Sequence, residues 1–245
     1  MKLFRFSNAL FYTGAIILLS SCGSGSNEKK AATDSTAATD STAKAQVVNT
    51  IITTPQNMVV VTHKVANYAK WLTAYEEHDS ARLASGLHNF VIGRGLEDSN
   101  MVMVALKADD SAKAKAFEKS SDLRMRMQKA GVVGAPTIAV NTATWQDTST
   151  IGSAIRSVAT FTVKDWDAFV KGFEDGKQTR TDNGIMDRAF GHGLGDTKKV
   201  FVVTALTDTA KALAYYKSDD LKKRRAAAGV IGEPTRFLFR IAKKY

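Results

Sequence analysis

The chain has 245 residues and a formal net charge of +10, with 44% hydrophobic and 24% charged residues, a globular balance that suits one large domain or two small ones. Its single cysteine, Cys22, excludes an intrachain disulfide and a cysteine-rich zinc site, and its four histidines leave little for a multi-histidine metal centre. The positive charge suits an anionic membrane surface; a nucleic-acid partner would call for stacking aromatics or a recognised module beside the charge, and the sequence offers neither.

Residues 1–21 read as a signal peptide, with Lys2 and Arg5 as the basic start and residues 9–19 as an apolar core too short to span a bilayer comfortably. Leu19-Ser20-Ser21-Cys22 resembles the bacterial lipobox. That resemblance implies cleavage before Cys22 and acylation of its thiol, and acyl chains contribute about 0.8 kcal/mol per buried CH₂ to anchoring. The expected location is the cell envelope, on the periplasmic side of the outer membrane. Residues 22–56 follow as the lipidated cysteine and its tether. Two copies of Ala-Thr-Asp-Ser-Thr-Ala, at 32–37 and 38–43, supply too little apolar surface to fold.

Beyond the tether the chain repeats itself at an offset of 98 residues, without insertions. Gly86 matches Gly184, Arg82 matches Arg180, and Gly93-Arg94-Gly95-Leu96 matches Gly191-His192-Gly193-Leu194. Gly131-Val132-Val133-Gly134 and Pro136-Thr137 match Gly229-Val230-Ile231-Gly232 and Pro234-Thr235. A fixed period of this kind marks a duplicated structural unit. The expected division is a first module over 57–143, a linker over 144–154 and a second module over 155–245.

Within each unit the pattern predicts β-α-β-β-α-β. Residues 58–65 form a β-branched run, hence a strand. Asn67 is placed to cap a helix whose apolar stripe is Tyr68, Trp71, Leu72 and Tyr75; in the second unit the cap is Asp165 and the stripe Trp166, Phe169, Val170 and Phe173. Gly86 and Gly184 suit the helix C-termini. A hairpin follows over 87–95 and 100–108, and Asp98 and Asp196 sit at its turn in the two copies. A second helical stretch covers 110–130, broken near Ser120-Ser121, and Pro136 is expected to open the last strand.

The order is that of the ferredoxin-like split βαβ arrangement. The strands are apolar on both sides, so the sheet face opposite the helices needs cover, which a second copy supplies. The aromatic stripe, the Gly-x-Gly-Leu of the hairpin and the Gly-Val-x-Gly-x-Pro-Thr before the last strand together resemble the dimeric α+β barrel superfamily, which includes antibiotic-biosynthesis monooxygenase-like proteins. The resemblance implies an α+β fold of two tandem βαββαβ modules packed sheet to sheet as one intramolecular barrel. It further implies a monomer with a pseudo-dimeric barrel.

The same resemblance points to the space between helices and sheet as a place for small ligands. Haem degraders of the superfamily carry a histidine on the second helix; residues 110–130 and 208–228 have none, and neither a cofactor nor a metal is expected. The candidate ligand-binding residues are His63, Trp71, Arg82 and His88. Phe161 and Met186 replace His63 and His88 in the second copy, which favours packing roles for both, and Arg82 with Arg180 is more simply read as part of a solvated helix face. Phe161, Phe169, Met186 and Asp187 stand where the first copy has His63, Trp71, His88 and Asn89, so any ligand pocket is expected in the first module. The leading functional expectation is a membrane-anchored module that binds a small apolar or amphipathic molecule or a protein. The competing one is a cofactor-independent monooxygenase acting on a small aromatic substrate. The basic run Lys222-Lys223-Arg224-Arg225 reads as a solvated helix face, with anionic lipid as the alternative contact.

Overall fold

The structure, a computed structural model, describes residues 49–245; the signal peptide, Cys22 and most of the tether lie outside the described residues. Short β1 (Ile51–Ile52) leads into β2 (Gln56–Val65), α1 (Tyr68–Glu77), α2 (Asp79–Ala84), the hairpin β3 (Leu87–Gly95) and β4 (Met101–Ala108), α3 (Ser111–Lys119), α4 (Ser121–Lys129) and β5 (Val132–Asp147). The second copy repeats this with β6 (Ile155–Val163), α5 (Trp166–Asp175), α6 (Lys177–Asp182), β7 (Ile185–Gly193), β8 (Asp196–Leu206), α7 (Thr209–Tyr216), α8 (Asp219–Ala227) and β9 (Val230–Lys244). Matching helices such as α1 and α5 keep the 98-residue offset at both ends. β5 runs to Asp147, into the segment expected to be a linker, where it pairs with β1.

The capping residues act as their chemistry predicts. The Asn67 and Asp165 side chains accept from the backbone N–H of Lys70 and Ala168, and Ser120 caps α4 at the break between α3 and α4. The first helix of each module is itself broken, at His78 and at Gly176, which the sequence pattern does not announce. The break leaves carbonyls without helical partners. An arginine from the following turn, its side chain nearly buried, fills the gap: Arg82 Nη1 donates to Tyr75 O and Arg180 Nη1 to Phe173 O, each at 2.7 Å.

Strand order β5-β2-β4-β3 in the first module meets β9-β6-β8-β7 in the second, and β5 pairs with β7, so eight strands close into a barrel. The seams are β3–β9 and β5–β7, both antiparallel. Each seam carries the first glycine of the Gly-x-Gly-Leu motif. A Cβ on Gly191 would stand 2.0 Å from Thr142 O, and one on Gly93 would stand 2.3 Å from the Phe239 ring. Backbone approach at the seams, rather than turn formation, is what this motif provides.

Pro136 does not open its strand. It lies inside β5, where the register with β2 shifts between Thr62↔Thr137 and Lys64↔Val133. Residues 134–136 bulge opposite His63, and proline is tolerated there because no ladder hydrogen bond needs its missing N–H. The second copy has the same shift between Thr160↔Thr235 and Thr162↔Ile231.

Alternation along the strands divides the interior in two. Val59, Val61 and Val65 of β2 pack outward with Trp71, Leu87 and Leu106 beneath the helices, and each such fully buried side chain contributes about 1.5–3 kcal/mol. Met58 and Val60 face the barrel lumen, with Ala105, Ala143 and Phe201.

Candidate functional site

The helix–sheet cleft of the first module holds a cavity of about 110 Å³, walled by Val61, Val104 and Leu106 from the sheet and by Trp71, Tyr75 and Phe117 from the helices. His63 lines it. Only 3% of this residue is exposed, and neither ring nitrogen has a hydrogen-bond partner. Its ring lies 5.3 Å from Trp71, which stacks on Tyr75 at 5.1 Å. Burial depresses the His63 pKa to about 4, so the imidazole is neutral at neutral pH. The Phe at the matching position packs edge-on against Phe169.

Trp71 is buried on the core stripe. Arg82 is not on a solvated face, as the sequence reading had it, but 7% exposed beside the cleft. Its guanidinium lies 3.7 Å from the Tyr75 ring centroid and donates through Nε to Asn89 Oδ1 at 3.1 Å. Tyr75 Oη donates to the same oxygen, and Asp79 accepts from both Asn89 and Arg82. Burial pushes the Tyr75 phenol far above its ordinary range against the opposing pull of Arg82, so it stays a donor. At the cleft rim Arg126 donates to His78 Nδ1 at 2.9 Å. His88 does not join the cleft: its side chain is 51% exposed and pairs with Asp109 at 2.7 Å.

The second module has its own cleft, with a cavity of about 100 Å³, so a pocket confined to the first copy is not what forms. Its walls are mostly apolar, but charged groups reach them as well. Arg180 is neutralised by Asp187, but Arg225 and Arg236 also line it. Arg236 donates to Ser157 Oγ at 2.6 Å and lies 3.5 Å from the Tyr216 ring centroid, while Tyr216 Oη shares a hydrogen bond with Thr204. Burial lowers the pKa of both Arg225 and Arg236, and Arg225 lowers that of Arg236 further. The first copy has Val59, Ile138, Leu106 and Met127 where these polar residues Ser157, Arg236, Thr204 and Arg225 stand. Local sequence pattern does not reveal them, since Arg225 falls in a basic helical run and Arg236 in a strand.

The barrel lumen is larger than either cleft, about 600 Å³. Small side chains leave it open: Ala105, Ala139, Ala143 and Ala189 line it beside Phe201 and Phe237. Arg156 and Arg188 also line it. Arg156 donates Nη1 to Ser153 O and Ile155 O, and Arg188 pairs with Asp147 at 3.2 Å and bonds Ser149. Burial lowers the pKa of both guanidiniums; Arg188 lowers that of Arg156 further, while Asp147 opposes the effect on Arg188.

Among the described residues there is no cluster of three or more His, Cys, Asp or Glu placed to hold a metal ion, and no helix long and apolar enough to cross a membrane. No family model matches the sequence, and the comparison with curated proteins found no match. Solved structures do match. The chain superposes on an anthrone oxidase-like protein with a TM-score of 0.55 at 15% identity, over 80% of this chain and 95% of that one. Candidate monooxygenases of Fusobacterium nucleatum and Lactobacillus acidophilus each give 0.51, at 12% and 10% identity, over 77% of this chain and 93% and 94% of theirs. At these identities the likeness is one of fold: this chain shares the ferredoxin-like α+β architecture of monooxygenase-like proteins.

Proposed function

We propose that the protein is a membrane-anchored lipoprotein of the cell envelope that binds a small, mostly apolar molecule in the first module's cleft. His63 carries this reading. Its two ring nitrogens are buried and unpartnered on the wall of a cavity otherwise lined by aromatic and aliphatic side chains. A buried polar atom without a partner costs about 1–3 kcal/mol, and a ligand offering a hydroxyl to the imidazole removes that cost. At about 110 Å³ the cavity suits a body no larger than one aromatic ring, since an engineered apolar cavity of about 150 Å³ takes benzene. The anchoring half of the proposal rests on the lipobox at Cys22 and the tether behind it.

A second reading is a cofactor-independent monooxygenase. It is favoured by a neutral imidazole able to accept a phenolic proton in a water-poor cleft, and by the fold shared with candidate monooxygenases. Thermal-shift screening of the full-length protein with substituted phenols and hydroquinones tests both. Binding predicts a compound that raises the Tm of the parent and not of His63→Phe. Oxygen consumption with that compound, lost in the same variant, would promote the enzymatic reading. If no compound distinguishes the variant from the parent, the cleft reading fails.

A further inference from the structure

We infer that the barrel lumen is a separate binding site, for an amphipathic anion whose apolar body fills the barrel and whose carboxylate sits on Arg156 and Arg188. The volume of about 600 Å³ lies within the range of ligand sites, roughly 300–1,000 Å³. It far exceeds either cleft. The lining is dominated by alanine, valine, methionine and phenylalanine from strands of both modules, so the site exists only in the closed barrel.

The two ends of the lumen differ. Along β6, Arg156, Val158 and Thr160 share the inward face, and four residues of strand span about 13 Å. At the Thr160 end the rim is threonine from β2, β5, β6 and β9: Thr62 pairs with Thr137 and Thr160 with Thr235. Thr137, Thr160 and Thr235 are exposed, so this end opens to solvent. The opposite end is buried. Arg156 and Gln146 are each 5% exposed, and the Arg188 side chain 12%.

That floor carries an uncompensated charge. Two guanidiniums face one carboxylate, Asp147, which serves Arg188. Arg156 joins no ion pair among the described residues, and only its Nη1 is used, on two backbone carbonyls. A guanidinium has five N–H donors in a planar fork that matches a carboxylate. Burying such a charge without a counter-ion is costly, and a ligand carboxylate at Arg156 balances the floor. Lys244, at the exposed C-terminal end of β9, is a further cation of the lumen lining, as is Arg236, whose guanidinium lies over Tyr216 in the second cleft. The apolar walls exclude a free inorganic anion as the intended occupant, because they would gain nothing from it.

The test is equilibrium dialysis of the full-length protein in nonionic detergent against radiolabelled decanoate, with protein-free detergent as the blank. Saturable uptake of one decanoate per chain is expected. Acetate should not compete, and decanol should compete at least tenfold more weakly than unlabelled decanoate. Arg156→Gln should weaken binding at least tenfold, and Arg156→Lys should recover part of the loss. Val158→Phe, which fills the lumen, should abolish uptake; Ala189→Leu makes the same test should Val158→Phe fail to fold by circular dichroism. His63→Phe should bind decanoate like the parent, which separates this site from the cleft. No saturable uptake, or uptake unchanged in both Arg156→Gln and the lumen-filling variant, overturns the inference.

Discussion

Asp187 receives both Nε and Nη2 of Arg180, at 2.8 and 2.6 Å, with both side chains nearly buried. At the same place in the first copy Arg82 meets neutral Asn89 on the strand and draws its negative charge from Asp79 on the helix. The second copy has Lys177 where the first has Asp79. The carboxylate has moved from helix to strand, and the arginine that caps the broken helix keeps one counter-charge in either copy. Asp187→Asn should therefore destabilise the protein by about 2–3 kcal/mol, because it leaves a buried cation uncompensated. Adding Lys177→Asp recreates the first copy's arrangement and should recover at least half of that loss. Urea midpoints for the single and double variants check both numbers.

His63 makes stability depend on pH with a definite sign. Its folded pKa, about 4, lies below the unfolded value of 6.5. Its contribution is complete above pH 6.5 and is lost as the pH falls toward 4, because over that window only the unfolded chain takes up the proton. The loss approaches a slope of about 1.4 kcal/mol per pH unit within the window, on the order of 3 kcal/mol in all. His63→Phe should remove this component and flatten the profile between pH 6.5 and 4. Parallel urea titrations at pH 7.5 and 5.0 measure the difference.

Gly191 should tolerate no side chain. Its added Cβ would press on backbone atoms of β5, Thr142 O and Ala143 Cα, so the seam itself must open. Gly191→Ala is expected to cost more than about 2 kcal/mol. Gly93→Ala should cost less, since the obstacle there is the Phe239 side chain. Gly152→Ala, in open space, is the neutral control. Thermal unfolding of the three variants should rank them in that order.

The anchoring proposal has its own outcome. Cys22→Ser should move the protein from the membrane to the soluble fraction and abolish incorporation of labelled acyl chains. Persistence of the label in that variant would refute attachment at Cys22.

The sequence made the architecture legible because the offset of 98 residues and the two aromatic stripes are local patterns that need no knowledge of contacts. The break at Ser120 could be read from a serine placed to cap. The breaks at His78 and Gly176 could not, because what stabilises them is an arginine reaching back seven residues to a carbonyl. His63 and Trp71 were found as cleft residues because both fall on core-facing positions. Arg225 and Arg236 were hidden: one sits in a basic run that looks solvated, the other in a strand, and only the tertiary fold brings them beside Tyr216. The lumen was hidden for a different reason. Alternation tells which residues face inward, but not whether their combined volume fills the space, and four alanines are what leave it open.

The seam between β3 and β9 bears on the order in which the protein can mature. β3 belongs to the first module, yet its outer edge pairs with residues 239–244. As the chain is delivered from its N-terminus, every other strand of the first module finds its neighbours among residues already present or soon to follow, while β3 waits for more than 140 further residues. Through that interval it presents a free row of N–H and C=O groups, the kind of edge that recruits strands from other chains. A holding factor that met such a chain would therefore find its substrate in the first module, and would release it only when the last strand is delivered.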